Sequence, residues 1–172
     1  MVSLDAGDAD WRNLSTALAL TLSGMPTKGY LIVKAAGERF SRFFVGEPEL
    51  WCEIVHNDNL GADFQMPDQF EDRLRGGGWC PPSKGRSDNW HLLVGWPVRY
   101  RTYEMLADQV VEAFRQGLHV ATPFELEVES WVEDSDKEFP TSELEDVTSA
   151  ARQLGNLRSR SSARRLDRRL DS

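Results

Sequence analysis

No apolar run in the chain approaches the roughly 18 residues that would suggest a membrane span. The opening stretch MVSLDAGDADWRN has neither the basic segment nor the apolar core of a secretory leader. Cysteine is scarce: Cys52 and Cys80 are the only two, enough for a single disulfide. That scarcity excludes a disulfide-dense secreted scaffold, and the expected location is the cytoplasm. Catalytic signatures are missing as well. Gly76-Gly77-Gly78 has no Walker lysine after it and no GxGxxG spacing, so it reads as a helix stop. Ser15, Ser41 and Ser83 lack a nucleophile-elbow context. Cys52 and His56 share parity on an expected strand, and Cys80 and His91 would complete four zinc ligands. Their spacing fits no compact zinc motif, there is no CxxC pair, and no flanking motif marks a Cys–His nucleophile. Glu53, Asp58, Asp63 and Asp68 are simplest as solvated positions, because spacing alone does not bring two acids into one pocket. The expectation is a protein without catalytic residues, cofactor or metal.

What is present suits one domain. The 172 residues are 40% hydrophobic and 28% charged, and six tryptophans with eight phenylalanines can fill a core. The net charge of −8 is unevenly placed. Residues 1–132 carry −7, residues 133–150 carry −6 and residues 151–172 carry +5. An acidic body repels phosphates, which argues against a nucleic-acid-binding core. Two charge blocks with few aromatics are expected as a tail over 132–172, partly helical or disordered, beside a folded domain over 9–131.

Hydrophobic period orders the elements. Trp11, Leu14, Ala17, Leu18 and Leu22 recur at helical spacing over Asp10–Ser23, stopped by Gly24 and Pro26. Gly29–Ala35, Arg39–Val45 and Leu50–His56 read as three strands with tight connections, an antiparallel meander. Pro67–Arg75 reads as a short helix, Trp79–Asp88 as a loop and Asn89–Trp96 as a fourth strand. Thr102 is expected to cap a helix over Tyr103–Gln116, with Tyr103, Leu106, Ala107, Val110 and Phe114 on its apolar face. In Phe124–Trp131 the apolar Phe124, Leu126 and Val128 alternate with Glu125, Glu127 and Glu129, the pattern of a half-wet strand at a sheet edge. Ser142 to Glu145 matches a capping box ahead of a stripe of Leu144, Val147, Ala151 and Leu154. The order implies an α+β fold, about five antiparallel strands flanked by helices.

Trp79, Trp90 and Trp96 cluster around Pro81-Pro82. Trp90 is assigned to the core; for Trp79 and Trp96 both core and partner surface stand open. With Tyr103 and Phe114 they form the candidate partner-binding set. Arg158, Arg160, Arg164, Arg165, Arg168 and Arg169 supply the alternative, an arginine-rich arm for nucleic acid.

Several motifs together resemble one family. They are the tryptophan helix at Trp11, "IVHNDNL" at Ile54–Leu60, "GGWCPP" at Gly77–Pro82, "DNWHLLVGWP" at Asp88–Pro97 and "TPFELEVESW" at Thr122–Trp131. The chain is similar to the TY-Chap domain family, actinobacterial relatives of YbjN and of the small type III secretion chaperones. The stretch "GGGW" at Gly76–Trp79 departs from the pattern, which has leucine ahead of the glycine–tryptophan pair. The resemblance implies a helix-flanked antiparallel sheet without catalytic residues, often dimeric, that binds a partner protein and keeps a secretion substrate soluble. A homodimer sharing the Phe124–Trp131 edge or the Tyr103–Phe114 helix face is expected, with no membrane partner and no nucleic acid.

Overall fold

Between Gly29 and Ile54 the side chains alternate between two environments, and that alternation sets the architecture. The computed structural model describes residues 6–149. Its elements are α1 (Ala6–Ser23), β1 (Gly29–Ala35), β2 (Arg39–Val45), β3 (Glu49–Ile54), α2 (Asp68–Gly76), β4 (Trp90–Gly95), α3 (Tyr100–Glu112), β5 (Glu127–Val132) and α4 (Ser142–Glu145). The five strands form one sheet in the order β4-β3-β2-β1-β5, and every neighbouring pair is antiparallel. The expected α+β class and five-stranded sheet are both present, and β5 is an edge strand.

One parity points to the core. Leu31, Val33, Phe43, Val45, Leu50, Cys52 and Ile54 are buried together with the inner faces of α1 and α3. On α1 these are Trp11, Leu14, Ala17, Leu18 and Leu22; on α3 they are Tyr103, Leu106, Ala107, Val110 and Val111. Each fully buried leucine or phenylalanine contributes roughly 1.5–3 kcal/mol relative to its exposed state. Polar contacts fix the two helices in register: Ser15 donates to Asp108, and Arg115 pairs with Asp8.

Several local expectations shift. Thr102 does not cap α3, because the helix starts three residues earlier than expected, at Tyr100 with Arg99 at the cap position. The capping box at Ser142 is not formed: Thr141 holds the cap position and Ser142 lies in the first turn. Beyond Glu112 the helix widens into a π turn over Ala113–Gly117 before the chain reverses. The β3 strand ends at Ile54, so His56 leaves the sheet and the parity linking it to Cys52 lapses; its ring instead accepts from the Asp58 N–H.

The residues behind the family resemblance are largely structural. Asn57 holds Met66 in both directions, donating to its carbonyl at 3.0 Å and accepting from its N–H at 2.7 Å. The Asn89 side-chain oxygen receives the His56 N–H and the Asn59 amide, which ties the end of β3 to the start of β4. Trp79 is buried and its indole donates to Gln109 of α3 at 3.0 Å.

The chain also stays on the domain after Val132. Phe139 and Leu144 enter the hydrophobic core, and the Ser149 N–H donates to the Leu126 carbonyl at 2.9 Å. The acids Glu133, Asp134, Asp136 and Glu138 are exposed, as their charge demands. A segment-wide charge balance registers those acids and is blind to two apolar anchors among them. Ala151, Leu154 and the six candidate arginines from Arg158 to Arg169 lie outside the described residues.

Candidate functional site

Among the described residues most of the second parity of the sheet is uncovered. On this face the strand register lines up Trp131, Tyr30, Phe44, Trp51 and Leu93, one residue from each strand, in a row across all five. Tyr30 stacks on Phe44 with ring centroids 4.4 Å apart and on Trp131 at 4.9 Å. Such pairs contribute about 0.5–1.5 kcal/mol beyond area burial. None of the five is fully buried, and Trp131 remains 40% exposed. With Ile32 and Arg42 the aromatic side chains line a cleft of about 410 Å³.

The next row along the strands is Glu129, Ile32, Arg42, Glu53 and His91, and beyond it lie Glu127, Lys34 and Phe40. At the β4 end this second row is closed over. Cys80 pairs with His91 in both backbone directions, and Ser87 of the same loop donates to the Glu53 carboxylate. His91 is buried and stacks on Trp51 with centroids 5.4 Å apart. Burial alone would push the Glu53 carboxyl up; hydrogen bonds from Arg42 and Ser87, with the Arg42 charge, outweigh it and hold the group below the usual carboxylate range. Glu53 is thereby committed to structure as an ionised, paired acid. At the β5 end the face is open. Lys34 pairs with Glu129, and Glu125, Glu127 and Glu129 rim a second cleft of about 520 Å³. The two clefts share Ile32 and Arg42, so the open face is continuous from the aromatic row to the acidic strand.

This arrangement suits binding. Half-exposed aromatic faces offer apolar contact at little conformational cost, and the edge of β5 has no backbone partner on its outer side among the described residues. The two cysteines are free: Cys52 is buried on the helix side, where burial raises its thiol, and Cys80 is exposed. No disulfide joins them. Cys52 and His91 also project from opposite faces of the sheet, so the four zinc candidates do not converge. Among the described residues no cluster of three or more His, Cys, Asp or Glu could hold a metal, and no helix is long and apolar enough to cross a membrane.

The candidate partner-binding residues fall elsewhere. Tyr103 and Phe114 are only 4% and 1% exposed, and Trp79 is buried beside them; Trp96 is half-buried against the same core. The apolar stripe of α3 is consumed by α1 within the chain, so it offers no face to a second copy. The residues that line the open face, Tyr30, Phe44, Trp51 and Trp131, are not in that set. A signal for one of them was present: Trp131 has the parity of Glu127 and Glu129, so a half-wet strand had to place its indole on the wet side.

Residues 4–132 match the family TY-Chap3, described as T3SS (YopN, CesT) and YbjN peptide-binding chaperone 3. No curated protein and no solved structure matches the chain.

Proposed function

The chain belongs to the TY-Chap3 family of peptide-binding chaperones, and from that premise we propose that it is a non-catalytic module that holds a segment of a partner protein on the open face of its sheet. One observation carries the assignment: a row of four aromatic side chains crosses the sheet and no element among the described residues covers it. Leaving so much aromatic surface in water is unfavourable unless a ligand takes it up. In this reading the chain works in the cytoplasm and keeps its partner soluble by occupying that partner's apolar side chains.

The test is a peptide array of overlapping aromatic-containing segments, probed with the purified protein and followed by titration of the best binder. Tyr30→Ala combined with Trp131→Ala is expected to weaken that binder by about tenfold or more, which corresponds to about 1.4 kcal/mol. Wild-type affinity in the double variant would remove the open face from the reading.

A competing occupant is a second copy of the chain, favoured by the same aromatic row. It predicts a mass of two chains in light scattering and reversion toward the 19.5 kDa monomer in the double variant. A concentration-independent monomer rules it out.

A further inference from the structure

The acidic end of the open face has an occupant that the chain itself can supply. Glu127 and Glu129 lie two apart on β5, on one side of the strand, with Glu125 just before it. Glu129 is paired with Lys34, whereas Glu125 and Glu127 form no ion pair among the described residues. The described chain ends at Ser149, bonded to the carbonyl of Leu126, immediately before β5 begins. The sequence then continues for 23 residues, and residues 151–172 carry seven arginines against two aspartates. Arg158 and Arg160 are spaced by two, the interval at which side chains of an extended segment share a face. The intervening residues 150–157 span roughly 26–29 Å when extended, more than the roughly 20 Å of a six-residue strand. Every point on the β5 edge is therefore within reach.

We propose that the arginine segment around Arg158–Arg160 docks in cis on the acidic edge of β5, beside the aromatic row, and competes there with a partner segment. Docking stands on the charges and the tether; only the competition rests on the peptide-binding reading above. The arginines two apart in sequence are opposite in charge to the glutamates two apart on β5, whereas pairing β5 with a second β5 would bring like charges together.

The experiment uses the full chain with Cys80→Ser and Ser162→Cys, spin-labelled at position 162, since buried Cys52 does not react. Paramagnetic broadening of backbone amides is read at about 0.05 M and about 0.5 M salt, where the Debye length falls severalfold. Broadening is expected on Glu127–Trp131 and the adjacent β1 residues, lost at high salt and lost in Glu127→Lys with Glu129→Lys. Broadening that spares β5, or that survives the charge reversal, overturns the proposal. Broadening that appears only between labelled and unlabelled copies in a mixed sample assigns the contact to a second chain and also overturns it. Competition is read separately: Arg158→Ser with Arg160→Ser should bind the array-selected peptide more tightly than the parent chain. Failure of any peptide to bind either form would sink the peptide-binding reading, while the broadening still decides the docking.

Discussion

Phe43 and Phe44 are neighbours in the chain and occupy opposite worlds. Phe43 is 1% exposed, facing the helices with Leu31 and Cys52; Phe44 lies half-exposed between Tyr30 and Trp51. The same contrast runs along the sheet. The helix-covered face is almost wholly apolar and closed, while the open face is aromatic and charged. A closed face is held by packing, so it tolerates little change; an open face is held only by its neighbours in the row and is free to serve a ligand. Stability and binding are therefore separable by parity, and substitutions one residue apart should report on different properties.

Among single substitutions the largest expected effect is Phe43→Ala, which should cost about 3–5 kcal/mol in denaturant unfolding. A loss below about 1 kcal/mol would mean that the covered face is not close-packed. Next comes truncation after Trp131. It removes Phe139 and Leu144 from the core, and deleting buried apolar side chains costs about 2–5 kcal/mol each. The midpoint of thermal unfolding should fall by several degrees or more, and an unchanged midpoint would return residues 133–149 to the status of a tail.

Gly37→Ala should cost about 1–3 kcal/mol. Gly37 turns the β1–β2 hairpin at φ +76°, and a Cβ there would stand 2.3 Å from the Phe64 ring. That ring in turn lies under the buried Arg39 guanidinium, which donates to the carbonyls of Ala36 and Leu118. Full stability in the variant would show that Phe64 yields freely. Phe44→Ala belongs lower still, at about 1 kcal/mol in stability, from the lost stacking on Tyr30. Its effect on peptide affinity should exceed its effect on unfolding, and a reversal of that ranking would collapse the distinction between the faces.

The last comparison concerns Glu53 and is read on acidification. Its folded-state carboxyl is held below the ordinary range, so its contribution is fully present above the unfolded value and is lost as pH falls through the folded one. Acid titration of unfolding should show a drop below about pH 4.5. Glu53→Gln should flatten that drop, and an unaltered acid profile would place its origin elsewhere.

Much of this organisation is legible from residues alone. Short β-branched and aromatic runs in Gly29–Ala35 and Arg39–Val45 and the tight turns between them specify an antiparallel meander, because a short connection admits no crossover. The alternation of Leu126 and Val128 with Glu127 and Glu129 marks a half-wet strand, and β5 lies at the sheet edge. Reading Trp79, Tyr103 and Phe114 as surface anchors misplaces them, since residue type is the same for a core aromatic and a contact aromatic. The β2 run Arg39-Phe40-Ser41-Arg42-Phe43-Phe44-Val45 carries aromatics at both parities, so pattern alone does not say which phenylalanine meets the helices.

Local chemistry thus determined the elements, their order and the antiparallel sense of the sheet, because periodicity and turn geometry act over a few residues. Only the tertiary structure decided that β5 returns to β1, that α1 and α3 cover a single face, and that Phe139 and Leu144 close back onto the core. Those outcomes depend on which distant surfaces meet, and burial of one sheet face by the helices is what leaves the other, with its aromatic row, open among the described residues.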